Sequence, residues 1–259
     1  MWKGIDVSEN QGTIDWAQVK AAGVEFAVLR SVLKSGKTDR QFAANLAGCR
    51  AQSIPVSVYK YTYATTPGAA ALEAQQVVDL LRGSGMSGTT VWWDVEDRGT
   101  LQPLGREMLA ACIRAAQAVV EAAGYRFGLY VGLYVYNERW FDFNAFADVP
   151  LWVARYYAGD NVMQFSAMPR EDKEPDVGRD LYMWQYTSTG RVPGISGNAD
   201  LDLCYVDPAG EQTAPAEDPG VIYTVSVADV WTRERADEMR QQLAACGIIG
   251  VVHKVKILE

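Results

Sequence analysis

The sequence predicts an α/β fold: an irregular, TIM-like (β/α) barrel followed by a small C-terminal βαβ unit. Three observations carry this. Eight short apolar, β-rich runs fall within the first 207 residues, and helical patterns follow most of the early ones. That alternation calls for a parallel sheet covered by helices. No Gly-x-Gly-x-x-Gly follows a strand, which weighs against a doubly wound sheet, the other fold with this alternation. Beyond residue 210 the composition changes, and a separate strand–helix–strand pattern begins.

The elements follow in order. Ile5–Val7 reads as the first strand, and Asp15–Gly23 as a capped helix stopped by glycine. Phe26–Arg30 is the second strand, with Asp39–Gln52 helical after it. Pro55–Tyr63 is the third, followed by a helix over Pro67–Arg82 with proline in its first turn. Thr90–Val95 precedes a long alanine-rich helix over Leu104–Gly124. Phe127–Val131, Leu151–Ala154, Leu181–Tyr186 and Ala199–Leu203 complete the eight. The barrel is assigned to residues 1–210, and the Pro/Ala/Glu-rich segment 211–220 reads as a fairly extended linker. In the accessory unit, residues 221–259, a strand over Val221–Val227 leads to a helix over Arg233–Ala245, capped by Thr232 and stopped by Gly247. Ile248–Val255 returns as a strand.

Composition removes several kinds of chemistry. The 259 residues include a single histidine, His253, so a histidine-dependent nucleophile would have to use it. No His-Glu-x-x-His is present, and zinc hydrolases need two or three histidine ligands. The four cysteines, Cys49, Cys112, Cys204 and Cys246, are scattered with no Cys-x-x-Cys pair, and read as thiols rather than metal ligands or a disulfide framework. No metal and no cofactor is therefore expected. A net charge of −8 without a basic stretch argues against a nucleic-acid partner. No run approaches 18 apolar residues, so no membrane span is expected. What remains plentiful is carboxylates, with 13 tyrosines and 8 tryptophans.

The run Val91-Trp92-Trp93-Asp94-Val95-Glu96-Asp97 carries the sharpest local signal. Residues two apart on a strand share a face, so Asp94 and Glu96 point the same way. In a (β/α) barrel the C-terminal strand ends build the active face. Two carboxyls sharing a partly desolvated pocket repel, and one is kept protonated as an acid. Asp6 sits late in the first strand, and Asp200 and Asp202 in the last. First and last strands are neighbours in a closed barrel, so Asp6 and Asp200 are expected side by side. Tyr61, Tyr63, Tyr156 and Trp184 lie near predicted C-terminal strand ends and are candidate sugar platforms. Arg30 ends the second strand and is expected to pair with an inward acid.

Gly4-Ile5-Asp6-Val7-Ser8, Ile14-Asp15-Trp16, Phe26-Ala27-Val28-Leu29-Arg30, Val58-Tyr59-Lys60-Tyr61, Asp94-Val95-Glu96, Leu151-Trp152-Val153-Ala154-Arg155-Tyr156, Trp184-Gln185-Tyr186 and Gly197-Asn198-Ala199-Asp200-Leu201-Asp202 occur in one order. That ordered set resembles glycoside hydrolase family 25, the N-acetylmuramidases called Chalaropsis-type lysozymes, many of them phage endolysins. The resemblance implies cleavage of the β-1,4 bond between N-acetylmuramic acid and N-acetylglucosamine in bacterial peptidoglycan. It implies Glu96 as proton donor, Asp94 as the second acid, and Asp6 and Asp200 as supporting acids. The family usually has a neutral polar residue at Asp202, and Lys60 stands where many members carry histidine. Acids two apart on one strand flank a bond poorly, which favours attack by the substrate's own 2-acetamido group over direct attack by Asp94. A chitinase-like glycosidase and a non-catalytic carbohydrate-binding barrel are the alternatives.

No apolar stretch follows Met1, so synthesis in the bacterial cytoplasm without a signal peptide is expected. Action on the cell wall then needs release through a holin-like pore or another export route. A lone βαβ unit has open strand edges and too little core to stand alone. It packs on the barrel, binds the wall, or pairs with a second copy, and a homodimer through residues 221–259 is the favoured outcome. Light scattering should give a dimer mass for the full chain and a monomer mass when residues 213–259 are removed. Monomers in both cases would defeat the pairing.

Overall fold

A computed structural model describes residues 1–159 and 161–208 of the chain. The predicted linker and βαβ unit lie outside the described residues. Six strands come first: β1 (Trp2–Val7), β2 (Phe26–Arg30), β3 (Val56–Tyr61), β4 (Thr90–Asp94), β5 (Arg126–Gly132) and β6 (Leu151–Ala154). Each pairs in parallel with the next. The chain then forms a two-residue strand β7 (Met163–Gln164), β8 (Met183–Arg191) and β9 (Ala199–Cys204). β8 pairs in parallel with β6 and antiparallel with β9, and β9 pairs antiparallel with β1. These contacts close an eight-stranded barrel, with β7 as an extra strand on β8.

The last strand departs from the parallel pattern of the early ones and runs antiparallel. Only residues 192–198 separate β8 from β9. A parallel crossover needs a dozen or more residues, whereas a short link returns the chain antiparallel. Two boundaries also move. The second helix, α2 (Phe42–Ala51), starts later than Asp39. The Asp39 carboxylate instead accepts the Glu9 and Gln41 amides and pairs with Arg30 Nε at 2.7 Å. β3 stops at Tyr61, short of Tyr63.

The remaining helices begin as their caps dictate. In α1 (Trp16–Ala21) the Asp15 side chain accepts the Ala17 and Gln18 amides, each at 3.1 Å. Thr66 caps α3 (Pro67–Gly83), whose first residue is proline. Gly105, at φ +74°, separates a 3-10 turn ending at Leu104 from α4 (Arg106–Ala122). That left-handed conformation suits glycine and sets the helix start two residues later than expected. α5 (Leu133–Asn137) is a single short turn after β5.

Strand alternation then sorts side chains into two apolar layers. The outer layer joins Val58, Val91, Trp93, Val131, Trp184 and Tyr186 to helix residues such as Val77, Leu81, Ile113 and Val120. The inner layer is smaller: Phe26, Val28, Trp92, Tyr130, Trp152, Met183 and Cys204 fill the barrel. Trp152 meets Trp92 edge-on at 5.7 Å and Tyr130 at 4.5 Å. Rings this large fit only because glycines face them. A Cβ on Gly128 would lie 2.5 Å from Trp92, and one on Gly4 would lie 2.4 Å from Phe26. Cys49, Cys112 and Cys204 are buried thiols in no disulfide.

Replacing Gly128 with valine should destabilise the protein by about 1–3 kcal/mol, because the packed rings cannot yield. An unchanged urea midpoint would show that the interior is loose.

Candidate active site

Four acids converge at one end of the barrel. Asp6 lies near the C-terminal end of β1, Asp94 ends β4, and Glu96 follows in the turn. β9 runs the other way, so Asp200, near its start, reaches the same end; it lies directly opposite Asp6. Asp202 pairs with Gly4 on one side and Gln185 on the other, one step deeper into the barrel. The arrangement stacks a polar layer on the ring-filled interior.

Hydrogen bonds hold this layer. Gln185 Nε2 donates to Asp6 Oδ2 at 2.6 Å. Tyr130 and Tyr156 hydroxyls both donate to Gln185 Oε1, at 2.8 and 2.5 Å. Trp152 Nε1 donates to Asp202 Oδ1 at 3.0 Å. Asp94 Oδ1 is buried and has no protein partner, leaving an acceptor aimed into the site. The backbone around it is tied down: Thr62 N donates to Asp94 O, Val95 N to Tyr130 O, and the Tyr134 hydroxyl to Glu96 O at 2.7 Å.

Burial dominates the electrostatics. It lifts Glu96 to about 7, with help from the Asp97 charge. Asp94 is pushed well above the usual carboxylate range by burial, then by Glu96 and Asp6. Asp200 moves the same way through burial, Asp6 and Glu96. Asp6 rises through burial and Asp202, against the pull of the Gln185 hydrogen bond. Asp97, by contrast, is held below its ordinary value, chiefly by its hydrogen bond with Thr100. Cations do little to relieve the cluster. Arg30 turns to Asp39 and to Glu9, at 3.1 Å, rather than to an inward acid of the cluster. Lys60 lies on the opposite face of β3, 3.8 Å from Glu73, and pulls Asp94 modestly downward. Among the described residues, no group of three His, Cys, Asp or Glu side chains could hold a metal ion.

The predicted platforms divide. Tyr61 and Tyr63 stack at 4.8 Å beside the acids, and Lys34 covers the Tyr63 ring at 4.0 Å. Tyr61 reaches Asp97 at 3.4 Å. Tyr156 is 43% exposed at the rim while its hydroxyl reaches inward to Gln185. The structure does not bring Trp184 to this face. It is 1% exposed, packs in the outer layer against Tyr157 and Tyr186, and donates to Arg155 O. Its neighbour Gln185 takes the inward position. Proximity to the strand end favoured the tryptophan, whereas alternation from inward Met183 would have selected the glutamine. Gln185, Tyr130 and Tyr134 are the contributors missed in the sequence.

The chain matches the family described as Glycosyl hydrolases family 25 over residues 5–195. It is 27% identical to the autolytic lysozyme of Clostridium acetobutylicum over 202 residues, covering 77% of this chain and 55% of the relative. It is 26% identical to lysozyme M1 of Streptomyces globisporus over 214 residues, 76% of this chain and 66% of that one. The chain thus spans about half to two thirds of the length of these curated relatives. The crystal structure of a bacterial lysozyme from Streptomyces coelicolor superposes with a TM-score of 0.63 at 25% identity, covering 82% of this chain and 95% of that chain. The catalytic domain of endolysin ply40, from a bacteriophage of Listeria monocytogenes, superposes with a TM-score of 0.65 at 24% identity, covering 82% of this chain and 97% of that one, which speaks to the fold.

Glu96 binds its proton more tightly in the folded than in the unfolded chain, so its ionisation opposes folding. The penalty grows as pH rises from the ordinary value of 4.5 to about 7 and is absent below that window. Glu96→Gln should therefore be more stable than the parent at about pH 8, by on the order of 2 kcal/mol, and equal to it near pH 4. Equal urea midpoints at both pH values would contradict the burial of this carboxyl.

Proposed function

The chain belongs to glycosyl hydrolase family 25, and we propose that it is a lysozyme that hydrolyses the β-1,4 bond between N-acetylmuramic acid and N-acetylglucosamine in bacterial peptidoglycan. The observation that carries this reading is the meeting of Asp94, Glu96, Asp6 and Asp200 at one barrel mouth, with Glu96 lifted to about 7. A carboxyl poised there is neutral at mildly acidic pH and can still ionise within the same cycle.

In the proposed reaction Glu96 donates its proton to the leaving glycosidic oxygen as the C1–O bond breaks. The 2-acetamido oxygen of the muramyl sugar closes on C1 and forms a cyclic, positively charged intermediate. Asp94, buried with an open Oδ1, accepts a hydrogen bond from the acetamido N–H and stabilises that charge. Its 4% exposure supports this role over direct attack on carbon. Water, deprotonated by the now ionised Glu96, attacks C1 and opens the ring, so anomeric configuration is retained. Asp6 and Asp200 supply fixed polarity beside this path, and Tyr61, Tyr63 and Tyr156 offer rings to the sugar faces.

The assignment extends to the whole chain. We assign residues 1–210 to the catalytic barrel, 211–220 to a linker, and 221–259 to an accessory unit for cell-wall binding or dimerisation. The lysozyme acts on the wall after release through a holin-like pore or another export route.

Glu96→Gln should lower hydrolysis of purified walls by about 10²–10⁴-fold. In the parent, activity should fall as pH rises through about 7. Mass spectrometry of the fragments should find new reducing ends on N-acetylmuramic acid. Reducing ends on N-acetylglucosamine would indicate a different glycosidase, and full activity in Glu96→Gln would remove the acid assignment.

A further inference from the structure

We propose that Gln185 is a positioning residue of this reaction: its amide, fixed on one side by two tyrosine hydroxyls, holds Asp6 as a hydrogen-bond acceptor on the other. The inference rests on the hydrolase reading above and assigns a role to a residue that does not itself touch the reacting atoms.

The geometry leaves the amide one orientation. A side-chain amide oxygen has two lone pairs, and Tyr130 and Tyr156 fill both. Flipping the amide would strip both hydroxyls of their acceptor and place the carbonyl against a carboxyl oxygen. The NH2 therefore faces Asp6 Oδ2, at 2.6 Å, and requires that oxygen to be unprotonated. Asp202 lies one register step deeper on β9, where its Oδ1 accepts Trp152 Nε1 and its charge bears on Asp6. Burial and mutual repulsion raise the proton affinity of both carboxyls, so the two are not ionised together. Hydrogen bonds thus run from Asp6 through Gln185 to both tyrosines, with Asp202 held separately by Trp152. Gln185 decides which Asp6 oxygen stays bare. It thereby orients the Asp6 carboxyl toward the site that holds Glu96.

The groups facing this pair are Asp200 and Asp202 on β9, Asp94 and Glu96 at the end of β4, Tyr130 on β5, Tyr156 after β6, and Tyr59 on β3 with Arg30 beyond it. An acid introduced at position 185 enters a predominantly acidic field. It stays protonated at low pH, donating as the amide does, and on ionising it repels Asp6.

The test uses the full chain and measures kcat and KM on solubilised peptidoglycan across pH, with thermal melts alongside. Gln185→Leu should lower kcat about 10- to 100-fold at every pH while KM stays within about twofold. Gln185→Glu should work on the acidic side and lose activity about 1 pH unit or more below the parent's alkaline limb. Tyr130→Phe, which keeps the ring, should move the limb in the same direction by less. A parental pH profile in Gln185→Glu, with Glu96→Gln inactive, overturns the positioning role alone. Loss of kcat in Gln185→Leu that only follows a fall in Tm, with no shift in Gln185→Glu, does the same. An active Glu96→Gln removes the hydrolase reading and this inference with it.

Discussion

Antiparallel pairing of β9 with β1 sets Asp200 opposite Asp6 and Asp202 beside Gln185. Like carboxyls facing each other across two strands destabilise the pair. The barrel tolerates them because its other elements supply donors and protons. Gln185 crosses from β8 to Asp6, Trp152 rises from β6 to Asp202, and burial raises the proton affinity of both acids. Much of the site's geometry follows from how this crowding is relieved.

The layering below the acids matters as much. Trp92, Trp152, Phe26 and Met183 fill the lower interior with apolar side chains beneath the acids. Charge at the mouth is then met by a low-dielectric floor, which strengthens each hydrogen bond and raises each acid's proton affinity. The glycines opposite those rings belong to the same arrangement. Gly128 and Gly4 yield the space that lets aromatic side chains close the barrel's centre.

Much of this was legible in the sequence. Alternation put Asp94 and Glu96 on one face, and barrel closure put Asp6 beside Asp200. Three things were less legible, each for a physical reason. The direction of β9 is set by the length of the link before it rather than by its composition. Trp184 and Gln185 compete for one inward position, and hydrophobic weight favours the wrong one unless strand parity is counted from Met183. Asp39 looks like part of a helix start, but its carboxylate is engaged by Arg30 and by backbone amides from two segments. Long-range partners of that kind leave no local signature.

The hydrogen bond between Gln185 and Asp6 joins residues 179 positions apart. The barrel's acid cluster therefore cannot be complete until β8 and β9, late in the sequence, have been synthesised. A ribosome-bound or truncated chain lacking β8 and β9 holds Asp94 and Glu96 without Asp6's partners. Under the proposed function, competence to act on glycan is coupled to closure of the barrel, and unfinished chains carry the acid residues without the assembled cluster.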